Sequence, residues 1–265
     1  YKRQTEQSGN DLTDYPIRIE VTDPNFFQEC SDRKYIECYF QDGSWIPHYT
    51  EEFDPAGNKA VIWVKVPQIP ANGTVKVLVK VNPTRTEDLS NPDAVFELYD
   101  DFEGDSLDTE KWEVEFRGKS YSVSGGILYI DDSDSGDAKS LFYSKKTVDT
   151  PVLVEMRAKG SNSRIGTLAV DKSNDFIRWH WLWLNDKNAL SDFKYSNTTQ
   201  SIEEYQVDFT TYENEWHYFK TIFDGNHAKG YVRNEQRGTE STVEYTFGRS
   251  LGTYQVGFAC YYTIM

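Results

Sequence analysis

From position 74 to position 81 the chain reads TVKVLVKV, so Val75, Val77, Val79 and Val81 take every second place. Residues two apart share a face only in an extended chain, and β-branched side chains crowd the turns of a helix. This stretch can therefore bury a face only as a β-strand. The same alternation recurs near the start, where Ile17, Ile19 and Val21 fall on one face of YPIRIEV and Arg18 and Glu20 on the other. Further strands are expected over 35–41, 45–49 and 60–66, with turn signals at Asp23-Pro24-Asn25, Asp42-Gly43 and Pro70-Ala71-Asn72-Gly73 and a stop at Pro83. Short strands at this spacing describe a β-sandwich over residues 1–95. The polar, proline-bounded run NPTRTEDLSNP at 82–92 is the expected linker.

The next stretch, YDDFEGDSLDTEKW at 99–112, crowds Asp100, Asp101, Glu103, Asp105, Asp108 and Glu110 around Tyr99, Phe102 and Trp112 and opens the second segment, 96–265. About eleven alternating runs follow, divided by turns such as Ser124-Gly125-Gly126, Gly160-Ser161-Asn162 and Asp224-Gly225-Asn226. That number suits a two-sheet jelly roll. Aromatic residues make up 15% of the chain while Met occurs twice, a bias toward side chains that favour sheets. The expected fold class is all-β, a β-sandwich domain followed by a jelly roll.

Composition excludes some partners. The 28 basic and 43 acidic residues leave a net charge of −15, which repels phosphate backbones and anionic lipid, so no nucleic acid partner is expected. No apolar run reaches the roughly 20 residues that a spanning helix needs, and no direct membrane insertion is expected. Cys30 and Cys38 flank SDRKYIE and could close a disulfide, leaving Cys260 free. Asn72-Gly73-Thr74 and Asn197-Thr198-Thr199 are glycosylation sequons in turn-like surroundings. Together these lean toward an extracellular or cell-surface protein. The chain starts at Tyr1 rather than Met and ends within the apolar run YYTIM, which reads as a segment trimmed from a larger protein with a further strand or domain beyond it.

The motifs LTDYPIRIEV, DPNFF, AVIWVKVPQIPANGTVKVLVKVNP and AVFELYDDFEG resemble a domain of unknown function found in archaeal and bacterial surface proteins. The family's Tyr-Arg pair corresponds to Tyr1-Lys2, its Trp-Val-Lys-Val-Pro strand to 63–67, its Pro-Ala-Asn-Gly-Thr turn to 70–74 and its Asp-Asp-Phe junction to 100–102. The chain departs from it at Val79-Lys80-Val81-Asn82, where the family has Tyr-Tyr-Gly-Asn. Such domains commonly precede a concanavalin A-like jelly roll, and the second segment is similar to one, of the laminin G or laminarinase type. DDFEG, SLD and KW across 100–112 look like its entry strand, and EWHYFKTIFDGNHAKGYVRNEQ at 215–236 like a pair of its strands. That resemblance implies a fold and no particular chemistry.

No catalytic constellation is present. The Glu-x-Asp-x-x-Glu run of laminarinase-type glycosidases is missing, as are His-Glu-x-x-His and Gly-x-Ser-x-Gly, and an enzyme is not expected. The richest candidate is FIRWHWLWL at 176–184, with Ile177, Trp179, Trp181 and Trp183 on one face and Arg178, His180, Leu182 and Leu184 on the other. Indole rings suit the apolar faces of sugars, and Arg or His can fix hydroxyls. Three alternating Trp residues equally suit one side of a sandwich core, in which case Arg178 and His180 would point outward. A structural calcium is the one cofactor considered. It would use Asp101, Glu103 and Gly104 at the seam, positions implied by the jelly-roll resemblance, or Asp132 and Asp134 in the turn DDSDSGD. His48, His217 and His227 stand apart without a second ligand at metal spacing and are read as structural. The expected role is non-catalytic glycan recognition or adhesion. The alternative is a structural subunit of an extracellular filament or surface layer, with neighbouring subunits as partners. Exposed Trp residues at 177–183 would favour the first, and exposed apolar residues at 1–7 or 256–265 the second.

Overall fold

The structure, a computed structural model, describes residues 11–132, 139–161, 163–184, 187–194 and 201–262. It is all-β and built from antiparallel sheets, as the alternating sequence requires. The chain divides into two compact units, Tyr1–Tyr99 and Asp100–Met265.

In the first unit β1 (Leu12–Val21) is followed by a short helix α1 (Pro24–Glu29), then β2 (Ile36–Phe40), β3 (His48–Asp54), β4 (Lys59–Ile69), β5 (Val77–Val81) and helix α2 (Pro92–Val95). Strands β1, β4 and β3 form one sheet in that order, and β2 pairs with β5. Ile17, Ile19 and Val21 lie opposite Val64, Ile62 and Ala60 on a common face. That face packs against Ile36, Cys38 and Val77 to make one core. Two local expectations change. The Asp23-Pro24 pair starts a helix rather than a turn, because Asp23 accepts a hydrogen bond from the Asn25 amide and Pro24 stands in the first turn, where no donor is needed. The strand expected at 45–49 begins only at His48, since Pro47 has no amide to offer a ladder. Trp45 makes an isolated bridge to Tyr39 and stays exposed.

The second unit contains β6 (Trp112–Glu115), β7 (Ser120–Ser124), β8 (Ile127–Asp131), β9 (Ser140–Val148), β10 (Val152–Ala158), β11 (Ser163–Asp171), β12 (Phe176–Trp183), β13 (Lys187–Lys194), β14 (Ser201–Asp208), β15 (His217–Asp224), β16 (His227–Asn234), β17 (Glu240–Thr246) and β18 (Tyr254–Tyr262). A seven-stranded sheet runs β14-β13-β12-β11-β18-β9-β6, a four-stranded sheet runs β10-β15-β16-β17, and β7 pairs with β8. The two large sheets stack face to face around Ala158, Leu182, Leu184, Phe209, Phe219 and Val232. Side chains bridge them directly: Thr167 of β11 bonds Thr221 of β15, and Tyr205 of β14 stacks on Tyr245 of β17. Gly166 and Gly257 sit where a Cβ would fall about 2 Å from a neighbouring strand's carbonyl, at 1.9 Å from His180 O and 2.0 Å from Phe142 O. Only glycine permits so close an approach inside a sheet.

Candidate functional site

Strand β12 carries the residues singled out from the sequence, and the structure fixes what each face does. Arg178 and His180 do not point outward. Both are fully buried and face the four-stranded sheet. Arg178 grips Asp192 of β13 through two hydrogen bonds of 2.8 and 2.9 Å, and its third arm donates to the Gly225 carbonyl at 2.8 Å. Burial pushes the Asp192 carboxyl up, and the Arg178 fork works against it. His180 lies between Thr221, 2.6 Å from Nδ1, and Asn188, 2.8 Å from Nε2. Removal from water lowers its pKa to about 4. Both side chains tie the sheets together and are out of reach of a ligand from solvent.

The tryptophan face is the opposite one, on the outside of the seven-stranded sheet. Antiparallel register sets its side chains in rows. Arg164, Trp183, Lys187 and Asp208 form one, Gly166, Trp181, Ala189 and Gln206 the next, then Leu168, Trp179, Ser191 and Glu204. This face is buried at its centre although it is not the interface between the sheets. Trp179 and Trp181 are each 1% exposed and pack with Leu141, Tyr143, Leu168, Val170, Ile177 and Phe193. Cations close over the rings. Lys139 Nζ stands 4.5 Å from the Phe193 ring and 5.7 Å from Trp179, and Arg164 lies 4.7 Å from Trp181 and 4.9 Å from Trp183. The Trp181 indole donates to Ser191 Oγ at 3.2 Å, whereas Trp179 Nε1 has no hydrogen-bond partner among the described residues.

The two margins of this face differ. Toward β14, Trp183 is half-buried and Glu204, Gln206 and Asp208 are exposed, with Lys187 paired to Asp208. Toward β6, the Tyr143 hydroxyl donates to Glu115 at 2.8 Å and Lys172 pairs with Glu113 at 2.8 Å. The Lys172 hydrogen bond holds the Glu113 carboxyl below its ordinary range. Glu113, Glu115, Tyr143 and Lys172 were not singled out from the sequence. Tyr143 lies on β9, three strands from β12, Glu113 and Glu115 lie on β6, four strands away, and Lys172 lies in the turn between β11 and β12, so no local pattern brings them together.

The other sequence-derived sites scatter. At the seam Asp101 Oδ1 accepts from the Glu103 amide at 3.2 Å, and Gly104 has φ +121°. The Glu103 carboxylate and the Asp101 carbonyl both approach Gly126, 2.9 and 3.5 Å from where its Cβ would stand. Asp132 is buried and accepts from Ser140 Oγ at 2.5 Å, while Asp134 lies outside the described residues. Among the described residues no group of three or more metal-ligating side chains converges. The disulfide expected from spacing is not formed: Cys30 and Cys38 are free, buried thiols. Cys30 caps α1, with its amide bonded to Phe26 O, and Cys38 fills the core from β2. Asn72 is exposed in a turn with φ +53°, and Asn197 lies outside the described residues.

Residues 32–115 match a family described as a domain of unknown function (DUF2341). The match begins in the turn before β2, runs through β5 and α2, and ends at the last residue of β6. No curated protein matches the chain.

Proposed function

We propose that the second unit is a non-catalytic recognition module that binds glycans at the β12–β14 margin of its outer face, in a protein acting outside the cell or at its surface. A seven-stranded sheet stacked on a four-stranded one, after a segment that matches a domain of unknown function, supports reading the second unit as a concanavalin A-like jelly roll. The observation that carries the proposal is the row Arg164, Trp183, Lys187 and Asp208, with Gln206 beside it. It sets a half-buried indole beside the exposed Gln206 and Asp208 and the half-buried cations Arg164 and Lys187, a combination suited to stacking on a sugar ring and fixing its hydroxyls. The burial of Trp179 and Trp181 moves the contact from the middle of the strand to Trp183. A glycan array with the wild type and Trp183→Ala tests this. We expect binding that falls about tenfold or more in the variant at unchanged melting temperature. A wild type that retains no glycan at millimolar concentration removes the proposal.

A structural role is the second reading, and one observation favours it. Strand β10 is an edge of the four-stranded sheet, and its Leu153 is 44% exposed. An edge strand with an exposed apolar side chain is a template for a neighbouring chain, although Glu155 and Arg157 are exposed beside Leu153. Val256, Phe258, Ala259 and Cys260 are buried and present no such strip. A monomer by light scattering at high concentration, with no filaments under the microscope, would argue against assembly. A structural calcium at Asp101, Glu103 and Gly104 remains part of the proposal, with the Asp101 carbonyl and Glu103 carboxylate as its first oxygens. A melting temperature that is the same in calcium and in chelator would count against it.

A further inference from the structure

His48 begins β3 in the first unit and is 1% exposed. Neither of its ring nitrogens has a hydrogen-bond partner among the described residues, and neither does Thr50 Oγ1, two residues on and facing the same way. Three orphaned polar atoms on one face of one strand are unusual, because buried polar groups almost always find partners. They sit where the chain leaving the sandwich is clasped. His48 bridges Ser90 in parallel fashion, the His48 carbonyl accepts from the Asn91 amide at 2.9 Å, and the Thr50 amide donates to Ser90 Oγ at 2.8 Å. Asn91 then caps α2, whose Val95 is fully buried.

We propose that His48 is an acid sensor, and that its protonation loosens the clasp holding residues 88–91 on β3. An imidazolium there would present two N–H groups with nothing to receive them. The carboxylates whose charge reaches it are Glu37 on β2 and Asp88 in the clasped segment. Both are already engaged. Glu37 accepts from Tyr39 at 2.6 Å, Asn82 at 2.9 Å and Arg85 Nε at 2.9 Å, and these bonds hold its carboxyl down to about 2. Asp88 pairs with Arg33 at 2.7 Å and accepts from the Ser90 amide at 2.9 Å. To meet an imidazolium, either carboxylate must leave its partners, and Asp88 would carry Ser90 with it. Burial correspondingly holds the His48 imidazole below the ordinary value of 6.5. A folded value below the unfolded one means that the clasp is intact above pH 6.5 and weakens as pH falls beneath it. No other histidine lies in this unit, so the response belongs to one residue.

The test is amide hydrogen exchange on the whole chain near pH 7.5 and near pH 5, corrected for the intrinsic rate, in the wild type and in His48→Phe. Protection of the Thr50 and Asn91 amides should fall by about tenfold or more in acid in the wild type and hold in the variant. Equal protection at both pH values in the wild type, or an equal loss in the variant, overturns the proposal. Should the variant fail to fold, a nuclear magnetic resonance titration of the wild-type imidazole decides. A midpoint clearly below 6.5 supports the sensor, and one at or above that value overturns it.

Discussion

His180 shows how much a single side chain can determine. Asn188 donates through Nδ2 to Ser241 at 3.2 Å, so its Oδ1 is the atom facing the ring, and a carbonyl oxygen can only accept. Nε2 must therefore carry the proton and Nδ1 must accept from the Thr221 hydroxyl, leaving the Thr221 oxygen to accept from Thr167. The chain runs in one direction across five strands, and a second proton on the ring would break it. With a folded pKa of about 4 against an unfolded value of 6.5, this group's contribution is fully present above pH 6.5 and is lost as pH falls toward 4. The loss between pH 7 and pH 5 should be about 2 kcal/mol in urea denaturation of the second unit, and a flat profile would contradict the assignment. The ring also requires Gly230 opposite it, where a Cβ would stand 2.4 Å from Cδ2. Because Thr221, Asn188 and Phe219 hem the ring in, it cannot yield. Gly230→Ala should destabilise the unit by about 1–3 kcal/mol. None of this was legible in FIRWHWLWL, because the partners lie on β11, β13, β15 and β17.

At the scale of the strand, alternation was easy to see and its meaning was not. The period in 176–184 separates Trp from Arg and His correctly, but it cannot say which face meets a second sheet, since both faces of β12 are buried. Strand β13 escaped notice for the same reason. KNALSDFK mixes polar and apolar residues on both faces, and Asn188 and Asp192 are buried only because His180 and Arg178 receive them. β6 was hidden too, because WEVE is short and continues an acidic run. The Arg178 and Asp192 pair gives the element its sharpest test. Arg178→Met leaves a buried carboxylate without its fork and should cost about 3–5 kcal/mol by denaturant unfolding. Adding Asp192→Leu should recover most of that loss, since an apolar pair of similar volume often replaces a buried ion pair at little cost. If the double variant is no more stable than the single one, the pair does more than neutralise a charge.

The whole molecule poses the question of where one unit stops. Among the described residues the apolar core of the first unit is drawn from 12–95, and that of the second from 102 onward, where Phe102 and Trp112 already meet Phe258, so each has what it needs to fold by itself. The valine alternation and the change of composition near 99–112 carried that organisation in the sequence. Its exact limit was hidden, because it depends on aromatic contacts made late in the first unit. Phe96 stacks on Tyr99 and meets Trp63 and Tyr49 edge-on, with centroids 5.9, 5.2 and 6.2 Å away, and the Tyr99 hydroxyl lies 2.6 Å from that of Tyr49. These rings cover the outer side of the β3–β4 pair, and Phe96 and Tyr99 follow the helix that His48 helps to anchor. A fragment ending at residue 95 therefore strips two rings from Trp63 and Tyr49, whereas one ending at Tyr99 keeps them. Fragment 1–99 should unfold cooperatively in urea, and fragment 1–95 should be weaker by about 2–4 kcal/mol. Equal stability would place the boundary before Phe96 and reduce the aromatic cluster to a surface contact. Fragment 100–265 should show its own single transition, still responsive to Gly230→Ala, and the loss of that transition would mean that the second unit depends on the first.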